Sequence, residues 1–88
     1  MPADSLNLYL KKQRLKSGLT QSQVAEMLGY SNSQFVSNWE RGKCLPAVSS
    51  LKELSSIFGI PFKELFDMYM NSLRTELLQK AEGSKNGA

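Results

Sequence analysis

Histidine is absent from the 88 residues, which removes the commonest general base and the commonest metal ligand together. A hydrolase of the nucleophile–histidine type cannot be written on such a chain. Cys44 is the one cysteine, so no internal disulfide framework exists and a cytoplasmic location is expected. The eight carboxylates are scattered among lysines rather than paired at ligand spacing. No metal site, no cofactor and no catalytic residue is therefore expected, and the chain does not read as an enzyme. No apolar run approaches the roughly 18 residues of a membrane span, and no charged-then-apolar leader opens the sequence. A membrane protein and a secretory precursor are excluded at this level.

The composition, 41% apolar and 22% charged, is that of one small globular domain with a single core. The net charge of +3 is modest but unevenly spread. Residues 1–44 hold six basic groups (Lys11, Lys12, Arg14, Lys16, Arg41, Lys43) against three acids, and the remainder holds five of each sign. Such a basic half suits a polyanion-binding face, although charge alone fits a solvated helix surface better.

Glycine and proline divide the chain into five segments, each with helical rather than alternating periodicity, so the fold class is all-α. The first helix opens near Asp4 or Ser5 and carries Leu6, Leu10 and Leu15 inward. It ends at Ser17–Gly18. The second starts at Thr20, which forms a capping box with Gln23, and presents Val24, Ala25 and Leu28 before Gly29. The third begins around Ser31–Ser33, with Ser31 and Gln34 at capping-box spacing, anchors itself through Val36 and Trp39, and ends at Gly42. Pro46 opens the fourth, whose apolar face is Val48, Leu51, Leu54 and Phe58 with Ile57. The fifth runs from Phe62 to about Ala81, sealing the core with Phe62, Leu65, Phe66 and Tyr69. Residues 1–81 form the domain, and 82–88 are expected to be a disordered tail.

Two short helices joined by a tight turn, the second with polar residues outward, have helix-turn-helix geometry. Ala25 permits close approach, and Gly29 supplies the positive φ of the turn. Val36 and Trp39 hold the third helix from below. Ser33, Gln34, Ser37 and Asn38 are left free, and amide side chains match the acceptor and donor that adenine shows in the major groove.

The landmarks Gly18-Leu19-Thr20-Gln21, Ala25, Gly29, Trp39-Glu40-Arg41-Gly42-Lys43, Pro46 and Leu51 make the chain resemble the phage repressor/Cro-like (XRE-type) helix-turn-helix proteins over about residues 6–70. That resemblance implies a five-helix, lambda-repressor-like domain with an extended C-terminal helix. It also implies roles for individual residues. Gln21 would touch the DNA backbone and brace the recognition helix. Ser33 and Gln34 would reach base edges at the start of that helix, with Asn38 a turn later. Arg14 and Glu40 would tie the first helix to the end of the third, the arginine also lying near phosphate. Arg41 and Lys43 would meet the sugar-phosphate strand. Between Gly29 and Trp39 the chain has one residue more than the family spacing. Which of Asn32, Ser33 and Gln34 meets a base is left open, as is whether Phe35 faces a thymine methyl or the core.

Past its own domain the fifth helix continues with Met70, Leu73 and Leu77, with Leu78 alongside. This stripe must bury itself on something. It either pairs with the same helix of a second subunit or folds back over the core, and the homodimer is the expectation. The whole describes a regulator, expected to be a repressor, that binds a palindromic site on double-stranded DNA. The alternative from another class is a protein-interaction module, such as an antitoxin or a regulator-binding partner, using the same fold.

Overall fold

The computed structural model describes the backbone of residues 5–87 and the side chains of residues 5–82. Its elements are α1 (Leu6–Lys16), α2 (Gln21–Met27), α3 (Gln34–Glu40), a 3-10 turn (Val48–Ser50), α4 (Leu51–Phe58) and α5 (Phe62–Gly87). The described residues contain five α-helices and no strand, as the periodicity requires. Every helix contributes to one core: Leu6 and Leu10 from α1, Val24 and Ala25 from α2, Val36 and Trp39 from α3, Leu51 and Leu54 from α4, and Leu65 from α5. α2 and α3 are seven residues each, too short to persist alone, so packing holds them.

α1 follows Ser5, whose side chain makes no capping bond, and buries a row at four-residue spacing, Leu6, Leu10 and Arg14. Leu15, expected inward, is 58% exposed. It sits about 100° round the helix from Arg14, which holds the inward slot because its charge has a buried partner on α3. At the start of α2 the capping box forms as expected. Thr20 Oγ1 accepts from the Gln23 backbone N–H at 3.0 Å, and Gln23 Oε1 accepts from the Thr20 N–H at 2.8 Å. Thr20→Ala is expected to lower stability by about 1 kcal/mol, read as a shift of the thermal unfolding midpoint.

The loop after α3 departs from the expected helix start. Pro46 is buried, but Val48 is outward in the 3-10 turn, and α-helical geometry begins only at Leu51. Leu51 and Leu54 then carry the buried face, with Ile57 and Phe58 half-buried.

Leu65 is the residue of α5 that enters the core. Phe66 and Tyr69 are half-buried against it, whereas Phe62 is exposed and stacks on Phe66 at 5.7 Å. Tyr9 of α1 is half-buried, and its hydroxyl pKa is raised by burial first and by the negative charge of Glu64 second. The backbone of α5 is helical to Gly87, past the expected end near Ala81. Of the segment 82–88, the side chains beyond Glu82 and all of residue 88 lie outside the described residues. None of the described helices is long and apolar enough to cross a membrane.

Candidate nucleic-acid interface

Ala25 is buried where α2 meets α3, and Gly29 has φ +85°, a value that side chains with a Cβ rarely adopt. The next residue, Tyr30, locks the turn from several sides. Its N–H donates to Ala25 O at 2.9 Å, its hydroxyl pairs with Ser50 Oγ at 3.3 Å, and its ring meets Trp39 edge-on at 6.0 Å.

The chain between the turn and α3 is irregular. Ser31, Asn32 and Ser33 form bends, and Asn32 Oδ1 accepts from the Gln34 N–H at 2.8 Å. The expected Ser31–Gln34 capping box is therefore replaced by an Asn32 cap, and α3 starts at Gln34. An asparagine oxygen two residues before the free N–H is already in reach, so the serine is not needed. The Gln34 side chain is thereby released to the outer face, where its Nε2 donates to Asn38 Oδ1 at 3.1 Å. Arg41 Nη2 donates to the same oxygen at 3.2 Å. Ser37 is half-buried beside them, and Lys43 is exposed in the following loop. Phe35 faces outward, 54% exposed, with its ring 4.9 Å from that of Tyr30.

Behind this face stands a buried polar brace. Arg14 is 9% exposed, and its guanidinium makes three hydrogen bonds: Nε to Glu40 Oε2 at 2.7 Å, Nη2 to Glu40 Oε1 at 3.1 Å and Nη1 to Leu19 O at 2.9 Å. Gln21 Nε2 adds a bond to Glu40 Oε1 at 3.0 Å. Asn7 Nδ2 reaches Glu40 O at 3.3 Å. Its side chain also lies 3.5 Å from where a Cβ on Gly42 would project, at φ +75°. No buried side-chain nitrogen or oxygen among the described residues lacks a partner. Bidentate geometry of this kind fixes orientation as well as distance, so α1 and α2 together set the angle at which α3 is presented.

Hydrogen bonds link Asn32, Gln34, Asn38 and Arg41 along one edge of α3, with Ser33 and Ser37 half-buried and Lys43 exposed in the loop that follows. Arg14 lies behind that edge rather than on it, and Gln21 is half-buried between the two. Sequence inspection missed Asn7 and Tyr30. Asn7 lies two turns before Arg14 on the same side of α1, a spacing from which it could have been found.

On α5, Met70 and Leu77 are exposed, and Leu73 is half-buried. These three share one side of α5 at spacings of three and four. Leu78, also exposed, lies about 100° further round, at the side of that stripe.

An all-helical domain with this braced, polar-faced third helix is a helix-turn-helix domain, and the chain belongs to that family, whose model it matches over residues 10–65. The HTH-type transcriptional activator BcrR of Enterococcus faecalis is 44% identical to it over 57 residues, 62% of this chain and 28% of that protein. The HTH-type transcriptional regulator PuuR of Escherichia coli (strain K12) is 35% identical over 57 residues, 65% of this chain and 30% of that protein. The chain spans less than a third of the length of these curated relatives.

Proposed function

We propose that the protein is a sequence-specific regulator of transcription that reads double-stranded DNA through the outward face of α3. The observation that carries this is the buried Arg14–Glu40–Gln21 brace, which holds α3 so that the Gln34, Asn38 and Arg41 side chains, hydrogen-bonded to one another, lie on its outer face. Asn32, Ser33, Gln34, Ser37 and Asn38 face the base edges. Lys43 and Arg41 supply positive charge to the sugar-phosphate strand, with Gln21 at its margin. Arg14 acts from behind, as the brace. The names of the relatives, one an activator and one a regulator, support transcriptional control. Its sign follows from where the site lies. Occupying a promoter excludes polymerase and represses, and binding upstream contacts polymerase instead.

One α3 spans only a few base pairs, so a homodimer on a palindrome supplies the missing specificity. Met70, Leu73 and Leu77 form the interface, with the exposed Leu78 alongside and the half-buried Phe66 continuing it. Leu77 is 56% exposed in the monomer, so Leu77→Asp leaves the domain folded. Its expected result is a monomer by sedimentation that still binds a half-site but loses its preference for the palindrome. A dimer that survives Leu77→Asp and Leu73→Asp together would refute this interface.

The test of the function is selection from a random duplex library, followed by affinity measurements on the selected duplex. Lys43→Ala should weaken binding to all sequences and reduce the salt slope by about one. Gln34→Ala should instead relax discrimination at one position of each half-site. Equal effects of both on every sequence would overturn this division.

A further inference from the structure

The outward amides of α3 have a fixed polarity. Arginine offers only donors, so the 3.2 Å contact from Arg41 Nη2 obliges Asn38 to turn its oxygen toward residue 41. Gln34 approaches that same oxygen at 3.1 Å and can do so only with Nε2. A carbonyl oxygen has two lone pairs, and both are now occupied. Asn38 has only Nδ2 hydrogens left to offer and no acceptor, whereas Gln34 keeps Oε1 and its second Nε2 hydrogen. Neither Asn38 Nδ2 nor Gln34 Oε1 has another partner among the described residues.

A free asparagine matches adenine by accepting from N6 and donating to N7 at once. Asn38, held as it is, cannot accept. Guanine shows two adjacent acceptors, O6 and N7, at the same place in the major groove. Gln34 retains the adenine geometry.

We propose that Arg41 determines specificity by orienting Asn38 as a donor-only reader of guanine, in addition to any attraction of its charge for the strand. This rests on the DNA-reading function proposed above. The experiment uses the full chain and a duplex selected from a random library. Each guanine of the duplex is then replaced by adenine in turn, with affinities measured for wild type, Arg41→Ala, Arg41→Lys and Asn38→Asp. Wild type is expected to prefer guanine at one position of the site by about tenfold. Arg41→Ala frees the amide to rotate, so that ratio collapses toward unity on top of a general loss of affinity. Arg41→Lys, again a donor without an acceptor, retains the ratio. Asn38→Asp, with acceptors alone, abolishes it. A guanine preference that survives Arg41→Ala, one lost equally in Arg41→Lys, or a site with no such position overturns the role of Arg41 and leaves DNA reading intact. Failure to select any duplex overturns both.

Discussion

Glu40→Ala is expected to destabilise the domain by about 3–5 kcal/mol, the range for stripping one partner from a buried ion pair. The carboxylate accepts from Arg14 Nε, Arg14 Nη2 and Gln21 Nε2, so its removal leaves a buried guanidinium charge with only its bond to Leu19 O and takes the acceptor from the half-buried Gln21 amide. Small domains have only about 5–15 kcal/mol in total, so the variant should be largely unfolded at modest urea concentrations. The desolvation cost is the larger part of this effect. Replacing both charges by apolar residues of similar volume, Arg14→Met with Glu40→Leu, should therefore recover much of the lost stability. The double variant should still bind DNA less selectively, because the bidentate clamp that sets the angle of α3 is gone. Equal stability of the single and double variants in urea denaturation would contradict this view of the brace.

Leu65→Ala is expected to cost about 2–5 kcal/mol, as large-to-small changes in a close-packed core do. Leu65 has no exposed surface, and it is the core residue through which α5 is anchored to the rest of the fold. Its neighbours on α5, Phe66 and Tyr69, are only half-buried and stack on one another at 6.5 Å, so they cannot close the cavity without leaving that arrangement. Leu77→Ala serves as the control within the same helix. Being exposed, it should change monomer stability by no more than about 0.5 kcal/mol. Chemical denaturation of the two variants separates them, and similar midpoints would mean that α5 is not anchored as described.

Much of the fold is legible in the sequence because the signals are local. Gly29 and Gly42 follow α2 and α3 at positive φ, and the Thr20–Gln23 box needs only a four-residue window. The departures arise where a distant partner decides. Leu15 loses its expected inward place because Arg14 pairs with Glu40, 26 residues away. Val48 turns outward because the chain tightens into a 3-10 turn before α4, a choice that helical spacing from Pro46 does not register.

The site is legible in its residue types but less so in its contacts. Asn32 takes the cap expected of Ser31, since its oxygen lies 2.8 Å from the Gln34 backbone nitrogen. Phe35 turns outward onto Tyr30, an aromatic pairing across the turn that a helical wheel of α3 cannot display. The chain of amides from Gln34 through Asn38 to Arg41 follows from side-chain geometry that spacing permits without dictating.

The outward face of α3 is proposed as the surface that meets DNA. Backbone amide shifts of labelled protein, titrated with a duplex from the random library selection, test it most directly. The largest changes are predicted over residues 32–43 and at Thr20–Gln23, while residues 51–58 stay near their free positions. A duplex that shifts α5 and leaves residues 32–43 unmoved would contradict the claim, and would make the Met70–Leu77 stripe the working surface of the protein.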